Sequence, residues 1–351
     1  MYLLNIILGI LKKWNQRCLA TGGYGMQQYD IVVIGGGPAG LSAAISAKEL
    51  YNGSVLILER ENQLGGTINQ CIHNGFGINI FNEDLTGPEF VQKFIDKVNE
   101  LDISYKLNTT VLNLNGNKEI NAINELGGIF KISAKAIIIA TGCRERPRGF
   151  SNLPGSRCAG IYTVGCAQKF INIEGYMPGK EIVILGTGDV ALIVARRLAI
   201  EGANVKAVVE SKDFIDASDK KLAESLNDFN IPLRIKHKII NIQGKNRIEG
   251  ITLVKLNDKN EIIESSEEYI TCDALLLSVD LYPDNELAKQ AKILVNSSTG
   301  RIELNENSQT NINGVFACGS VTHGYGFLEN VVKNNYNIGK CTSQYIKNSN
   351  L

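Results

Sequence analysis

The sequence lacks the cysteine and histidine patterns that bind metal ions. Its eight cysteines include no C-x-x-C pair, and its three histidines form no close group with them. Zinc and iron–sulfur sites are therefore not expected. Unpaired cysteines of this kind are typical of free thiols in a reducing compartment, which predicts a cytoplasmic location.

The sequence also lacks an excess of either charge. Lysine plus arginine number 36, and aspartate plus glutamate number 36, so no overall field would attract nucleic acid or an anionic membrane. Of the 351 residues, 44% are hydrophobic, which is enough for two cores of ordinary domain size.

The first 29 residues contain no acidic residue. They begin with an apolar run, residues 2–11, which is too short to span a bilayer, and the cations Lys12, Lys13 and Arg17 follow it rather than precede it as in a secretory signal. Three interpretations stay open: an organelle-targeting presequence, which would place the protein in an organelle matrix, an interfacial anchor, or sequence upstream of a start at Met26. Residues 1–28 are therefore treated as an extension outside the fold.

Two segments of thirty residues align without a gap, 151 positions apart. Residues 30–59 and 181–210 each show the pattern of a strand, a glycine-rich turn, a helix, a second strand and a terminal glutamate. In each segment 24 positions separate the first glycine, Gly35 or Gly186, from that glutamate. This separation suits a carboxylate that binds a ribose hydroxyl while amides at the helix start hold a diphosphate. Two such segments predict two bound dinucleotides and a hydride passed between them.

The glycines of the first segment have distinct physical roles. Gly35 permits the tight turn after the strand, Gly37 lets the backbone approach a diphosphate, and Gly40 lets the helix pack on the sheet. Pro38 lies in the first helical turn, where a missing amide hydrogen is harmless, and the β-branched run 31–34 is typical of a buried parallel strand.

The second segment has Gly186 and Gly188, but Ala191 replaces the third glycine. Alanine at this position also occurs in some sites for phosphorylated nicotinamide nucleotides. Glu210 favours the opposite choice, because a carboxylate at the strand end accepts the 2′-hydroxyl of NADH and repels the 2′-phosphate of NADPH. The cations Arg196, Arg197 and Lys206 are near in sequence, yet two of them lie well inside the helix. The pattern favours NADH.

The remaining sequence predicts the elements around the two segments. Thr86 and Glu89 form a capping box for a helix with an apolar stripe of Phe90, Phe94, Val98 and Leu101. Periodicity and turn residues then predict strands at 111–114, 129–132 and 136–140, a crossing at 143–155, a helix at 220–229, a meander of strands at 234–242, 247–256 and 269–279, a return at 283–285, a strand at 315–319 and a helix from about Gly326.

The order of these motifs resembles the pyridine nucleotide-disulfide oxidoreductase superfamily of flavoproteins. The resemblance extends from residue 29 to about 345 and includes GGGPAG, ATG at 140–142, GTGDVA and TNINGVFACGS at 310–320. The longer strings NQCIHNGFG, ATGCRERPRG and NIEGYMPGKEIVILGTGDVALIVARR resemble a narrower group, the NAD/FAD oxidoreductase subunits that accompany glycerol-3-phosphate dehydrogenase-type flavoproteins.

The resemblance implies an α/β fold of two Rossmann-like, three-layer dinucleotide-binding domains, thioredoxin-reductase-sized, with the NAD lobe inserted in the FAD lobe. It implies FAD binding by residues 29–148 and 273–351, and NAD(H) binding by residues 149–272. The FAD residues implied by the matching motifs are Gly35, Gly37, Pro38, Ala39, Gly40, Glu59, Arg60, Gly66, Val111, Ala140, Thr141, Gly142, Gly319 and Ser320, and the NAD residues are Gly186, Gly188, Asp189, Val190 and Glu210.

Two positions depart from the family pattern: Asp280, where a glycine is usual and which we treat as structural, and Ser320. Ser320 stands where an aspartate usually accepts a hydrogen bond from a ribityl hydroxyl, and serine makes a weaker, uncharged one. Cys71 is the single cysteine between residues 54 and 140, so a dithiol that exchanges with the flavin is improbable. Cys71 alone could form a sulfenate if His73 lowered its pKa, or it could simply pack near the flavin.

Three functions are compatible with this pattern. The first is transfer of electrons between NAD(H), bound flavin and a partner flavoprotein dehydrogenase, with glycerol-3-phosphate-type metabolism suspected. The second is a self-sufficient NADH oxidase or peroxidase that uses Cys71. The third is a non-catalytic flavin-binding subunit of a complex. In the first two, backbone amides at the start of the last helix would stabilise negative charge on the flavin ring.

Overall fold

The computed structural model of the protein describes residues 26–217, 226–278, 280–323 and 328–349. These residues form two compact units. The first unit combines the segment up to Cys143 with the segment from Pro283 onwards, and the second unit is the insertion between them, Arg144–Tyr282. The predicted insertion of one α/β lobe in another is therefore confirmed.

The first segment begins with alternating strands and helices and ends in a run of four strands. Residues 31–34 are buried on both faces of the sheet, as their β-branched run predicts. In chain order the segment contains β1 (Gln27–Ile34), α1 (Pro38–Leu50), β2 (Val55–Leu58), a 3₁₀ turn (Gly66–Gln70), α2 (Ile78–Phe81), α3 (Gly87–Glu100), β3 (Ser104–Lys106), β4 (Thr109–Leu114), β5 (Glu119–Asn124) and β6 (Gly128–Ile139).

The inserted segment repeats this arrangement. It begins at the end of β7 (Cys143–Glu145), and its elements are a 3₁₀ turn (Arg148–Phe150), β8 (Ile161–Thr163), α4 (Val164–Lys169) with a π-helical turn (Phe170–Glu174), β9 (Glu181–Leu185), α5 (Asp189–Ile200), β10 (Asn204–Val209), β11 (Leu233–Arg234), β12 (His237–Gly244), β13 (Ile248–Lys255), β14 (Glu268–Thr271), β15 (Ala274–Leu277) and β16 (Leu281–Pro283).

The last segment returns to the first unit and completes its sheet. It contains α6 (Glu286–Gln290), β17 (Val315–Ala317), α7 (Ser320–His323) and α8 (Leu328–Ser349). The sheet has the order β3-β2-β1-β6-β5-β4, and β17 pairs in parallel with the end of β6 through Val315 and Ile137. The long strand β6 unites the two strands predicted at 129–132 and 136–140, because it continues from the antiparallel meander into the parallel sheet.

Each unit has three layers. In the first unit, one face of the sheet packs on α1, α3 and α8, and the other face packs on the meander of β4, β5 and the start of β6. In the second unit, the parallel sheet β11-β10-β9-β15-β8 lies between helices on one side and the antiparallel sheet β12-β13-β14 on the other. The predicted α/β class with three layers in each lobe is confirmed.

The last strand of the predicted meander differs from the structure. The meander strand predicted at 269–279 is two strands: β14 pairs antiparallel with β13, whereas β15 pairs in parallel with β9 and β8. The chain changes sheets at Asp273, whose carboxylate accepts the amides of Lys180 and Glu181. The crossing after Cys143 and the return at Pro283 agree with the turns predicted at 143–155 and 283–285, whereas the boundaries at residues 148 and 273 that the resemblance implies differ from them.

The capping box predicted for α3 is present. The Thr86 amide and hydroxyl donate to Glu89 Oε2 at 2.8 and 2.7 Å. Phe90, Phe94 and Val98 of the predicted stripe are buried, and the aromatic rings at 76, 81, 90 and 94 pack together. Of the helix predicted at 220–229, residues 220–225 lie outside the described residues. Among described helices, none is long and apolar enough to cross a membrane.

Helices α1 and α8 approach each other closely at Gly339. A Cβ on Gly339 would lie 2.4 Å from the Ala43 carbonyl oxygen and 2.6 Å from the Ala47 amide nitrogen, which are backbone atoms that cannot rotate away. We expect Gly339→Val to lower the free energy of unfolding by about 1–3 kcal/mol through overpacking. Urea unfolding measures this loss. Gly116→Val is the control, because a Cβ on Gly116 meets nothing within 4 Å, and an equal loss in both variants would contradict the prediction.

Candidate dinucleotide-binding sites

The turn after β1 contains two positions, 35 and 40, where neighbouring protein atoms leave no room for a side chain. Gly35 has φ +110°, and a Cβ on it would lie 2.3 Å from the Ala140 carbonyl oxygen. A Cβ on Gly40 would lie 1.9 Å from the Gly35 carbonyl oxygen. The turn therefore closes tightly against the end of β6, and the Gly35 amide donates to the Leu58 carbonyl of β2 at 2.9 Å.

At Gly37, by contrast, neither the backbone conformation nor a neighbouring protein atom requires glycine. It is the N-cap of α1 with φ −77°, a conformation open to any residue, and a Cβ on it would meet only Gly66 Cα at 3.9 Å. The following residues Pro38 and Ala39 begin the helix. No neighbouring protein atom requires a glycine here, at the N-terminus of a thirteen-residue helix. The missing side chain leaves room for a diphosphate to approach the backbone amides from outside the protein. We name the turn and helix start, residues 35–40, the first cradle.

Two other backbone turns lie against the first cradle, and a third lies beside Ser320. Gly66 has φ +63°, and its Cβ position is 3.0 Å from Gly37 Cα. Gly319 has φ +78°, and its Cβ position is 2.7 Å from Ala39 Cβ. Gly142 has φ +75°, and a Cβ there would meet only Ser320 Oγ, at 3.8 Å. The structure thus brings together the glycine positions that the sequence assigned to one flavin site.

The second cradle, residues 186–191, repeats the first. Gly186 has φ +100° and donates its amide to Val209 at 2.7 Å. Gly188 is the N-cap of α5 with φ −65°, and a Cβ on it would meet only Ser278 Oγ at 3.6 Å. Asp189 and Val190 form the first turn of α5. The second cradle therefore leaves the same open approach for a diphosphate, and Ala191 is fully buried in the place of Gly40.

A buried glutamate closes each cradle. Glu59 Oε2 accepts the Gly36 amide at 2.6 Å, and Glu59 Oε1 accepts the Glu61 amide at 2.9 Å. A carboxylate offers about four acceptor positions, so two stay available for the hydroxyls of a ribose. This arrangement fits the predicted role of Glu59 at the adenosine ribose.

Glu210 has the same backbone partners and two additional donors. Its Oε2 accepts the Thr187 amide at 3.2 Å and the Thr187 hydroxyl at 2.8 Å. Its Oε1 accepts the Lys212 amide at 3.0 Å and the Ser211 hydroxyl at 3.4 Å. All of its about four acceptor positions are therefore used within the protein. Thr187 stands where the first cradle has Gly36, and sequence alone did not single it out.

The cations considered for the second cradle have other partners or positions. Arg197 pairs with Glu201 within α5, and Lys206 pairs with Glu181 at 2.6 Å at the start of β9. Arg196 is exposed on α5. Lys212 lies two residues after Glu210, and its amide donates a hydrogen bond to the Glu210 carboxylate. Its ammonium pairs with Asp216 at 2.8 Å.

Asn335 and Asp284 support the first site, although the sequence did not mark them as site residues. Asn335 is buried in α8, and its Oδ1 accepts the Gly319 amide at 3.2 Å. The Asp284 backbone accepts the Thr141 hydroxyl at 2.7 Å and donates to the Gly142 carbonyl at 2.9 Å. Both contacts join segments that are far apart in sequence, so no local sequence pattern predicts them.

The remaining predicted flavin residues differ in their exposure and contacts. Arg60 is exposed and contacts the Asp284 carboxylate at 3.4 Å, and Val111 is half-buried in β4. Ser320 begins α7, and its carbonyl accepts the Cys143 thiol at 3.2 Å. Ala140 follows β6 and donates its amide to Ile34 at 2.8 Å.

The surroundings of Cys71 and His73 bear on the hypothesis that the imidazole lowers the pKa of the thiol. His73 Nδ1 lies 2.8 Å from the Asn74 carbonyl oxygen, and its ring packs 5.1 Å from the Phe76 ring. Burial alone raises the pKa of the Cys71 thiol to about 11. The thiol is therefore protonated at neutral pH rather than activated. Within the described residues, seven cysteines are free thiols and no group of side chains is arranged to hold a metal ion.

Comparison with known proteins gives a consistent result. A family model described as pyridine nucleotide-disulphide oxidoreductase matches residues 29–337. The 34.2 kDa protein in the rubredoxin operon of Clostridium pasteurianum is 29% identical over 299 residues, 84% of this chain and 89% of the relative. Ferredoxin–NADP reductase of Picrophilus torridus is 25% identical over 312 residues, 84% and 86% of the two chains. The crystal structure of T. acidophilum thioredoxin reductase has a TM-score of 0.73 at 21% identity and shares the fold, covering 91% and 98%.

The two open glycines give matched variants. We expect Gly37→Val to lower FAD affinity and Gly188→Val to lower NADH affinity, each by about tenfold or more, because the valine fills the space that the diphosphate needs. Flavin content after purification and titration with NADH measure the two effects. Each variant is the control for the other. Loss of both nucleotides in either variant, or of neither, would contradict two separate cradles.

The pKa of Cys71 predicts its reactivity. From pH 7 to pH 10 the alkylation rate of the folded protein should rise about tenfold per pH unit without a plateau, because the thiolate fraction grows until the pKa of about 11. Mass spectrometry of the peptide that contains Cys71 follows the rate. Protein unfolded in urea is the control and should level off near the ordinary thiol pKa of about 8.5. A plateau below pH 9 in the folded protein would show that the thiol is activated.

Proposed function

Because this chain belongs to the pyridine nucleotide-disulphide oxidoreductase family, we propose that it moves hydride between NADH and bound FAD and exchanges the electrons with a partner protein. Members of this family bind FAD and NAD(P)H, and the chain is an FAD-dependent NAD(P)H oxidoreductase. The proposal adds three points to this: which nucleotide each unit binds, the preference for NADH, and the nature of the partner.

The single observation that carries the proposal is the pair of open glycines. Gly37 and Gly188 occupy equivalent places at two helix N-termini, and neither is required by a neighbouring protein atom. The glycine positions at 66 and 319 lie against the first cradle. These surroundings support FAD in the first unit and NAD(H) in the second.

The residues of the two units bind and orient the nucleotides. The amides at the start of α1 and α5 would hold the two diphosphates, and Glu59 would hold the adenosine ribose of FAD. Bound FAD and NAD(H) supply the hydride chemistry. The helix predicted to stabilise charge on the flavin ring is α8, which begins at Leu328. No acidic or basic side chain is needed for hydride transfer itself.

NADH is the proposed nucleotide because the end of β10 is acidic. The buried carboxylate of Glu210 stands where a 2′-phosphate would lie. The negative charges of this carboxylate and of a 2′-phosphate would repel each other, so the affinity for NADPH is lower than the affinity for NADH. The pairing of Arg197, Lys206 and Lys212 with carboxylates leaves none of these three cations unneutralised.

A partner protein is proposed because no redox dithiol and no activated thiol stands out among the residues that the structure describes. The sequence contains no C-x-x-C pair, and burial keeps the Cys71 thiol protonated at neutral pH. The motif strings described above favour a flavoprotein dehydrogenase of the glycerol-3-phosphate type. One similar protein is named for the electron carrier ferredoxin, which supports exchange with a separate protein in this family.

Anaerobic stopped-flow reduction tests the proposal. Mixing the purified FAD protein with NADH should bleach the flavin absorbance, whereas glycerol 3-phosphate should do so only when its dehydrogenase is added. Gly188→Val should retain FAD and chemical reduction by dithionite but lose reduction by NADH.

Three results would contradict the proposal. Colourless protein that cannot be reconstituted with FAD would exclude a flavoprotein. Flavin that NADH cannot bleach would favour a non-catalytic subunit. Rapid NADH turnover by the isolated chain in air, abolished by Cys71→Ser, would favour the self-sufficient oxidase or peroxidase.

A further inference from the structure

The segment that follows β10 folds back onto the second cradle. Residues 211–216, the Lys212 segment, are tied at both ends. The Lys212 amide donates to Glu210 Oε1 at 3.0 Å, and the Asp216 amide donates to the Thr187 hydroxyl at 2.9 Å. The Thr187 hydroxyl in turn donates to Glu210. The segment is therefore held beside the carboxylate where the adenosine ribose of NAD(H) is proposed to bind.

The one cation of this segment is already neutralised. Lys212 Nζ lies 2.8 Å from Asp216 Oδ1 and 5.3 Å from the centre of the Phe214 ring. The hydrogen bond to Asp216, followed by the charges of Asp216, Glu210 and Asp280, raises the pKa of Lys212. Lys212 is thus a cation at neutral pH whose ammonium is paired with the Asp216 carboxylate.

A 2′-phosphate requires a cation that is free to pair with it. Sites for NADP commonly place an arginine or lysine near the strand end, and charge-assisted contacts of this kind carry the discrimination. Lys212 occupies such a place, since its backbone touches Glu210. Its partner Asp216 would have to be displaced before the ammonium could contact a phosphate.

We propose that Asp216 is a specificity-determining residue, which excludes NADPH by holding the Lys212 ammonium in an ion pair. This inference rests on the proposed function, because it takes the second cradle as the NAD(H) site. Glu210 is only part of the selection. Its four protein donors weaken its repulsion of a phosphate, so the charge balance of the Lys212 segment decides how strongly NADPH is rejected.

The test is a pair of isosteric charge variants in the full-length FAD protein. Asp216→Asn removes the carboxylate that holds Lys212 but keeps the backbone amide that binds Thr187. We expect the ratio of the Kd for NADPH to the Kd for NADH to fall by about tenfold, mainly through tighter NADPH, with a smaller change at high salt. Calorimetric titration with NADH and NADPH measures both constants.

Asp213→Asn is the matched control. Asp213 is exposed in the same segment, loses the same charge on substitution, and acts on Lys236 rather than Lys212. Its Kd ratio should stay within about twofold of the unsubstituted protein. In the double variant Asp216→Asn with Lys212→Met, the gain in NADPH affinity should disappear. Asp216→Ser also removes the carboxylate and should give the same shift as Asp216→Asn. The test therefore does not depend on the folding of a single variant.

The outcomes separate the inference from the function. A protein that binds NADH and keeps its Kd ratio in both Asp216 variants overturns the inference alone. An equal shift in Asp213→Asn also overturns it, because net charge would then explain the effect. A protein that binds neither NADH nor NADPH overturns the proposed function and this inference together.

Discussion

Both cradles depend on a buried carboxylate that accepts the amide of the residue after the first glycine. Glu59 holds the Gly36 amide, and Glu210 holds the Thr187 amide. A buried carboxylate is costly unless donors surround it, and a buried amide is costly unless it is accepted. The hydrogen bond between this carboxylate and this amide offsets both costs. It also fixes the end of the second strand against the turn, which sets the direction in which the helix presents its first amides.

The two copies of this contact differ in how much of the carboxylate they leave for a ligand. Glu59 has two protein donors and Glu210 has four. Under the proposed function, a ribose hydroxyl gains a new hydrogen bond at Glu59 but must replace an existing donor at Glu210. That difference suits a permanently held flavin in the first unit and a coenzyme that leaves after each turnover in the second.

The sequence predicted the elements whose signal is local. The repeated spacing, the buried run of β1 and the capping box of α3 all depend on residues within a few turns of each other, and each appeared where expected. The apolar run at 269–279 was misassigned because periodicity does not distinguish an antiparallel strand from a buried parallel one. The switch at Asp273 depends on amides of residues 180 and 181, far away in sequence. The contact of Asn335 with Gly319 likewise joins residues that are not neighbours in sequence, and no sequence pattern shows that the His73 ring packs on Phe76.

The position of β17 has a consequence for how the chain is made. This strand pairs with the end of β6 in the first sheet, yet it follows the whole inserted unit in the chain. On the ribosome, the second unit emerges complete before the first unit receives its missing strand and the turn at Gly319. The second unit is therefore able to fold before β17 has been synthesised, whereas the first unit closes only after the strand that follows the insertion has been made.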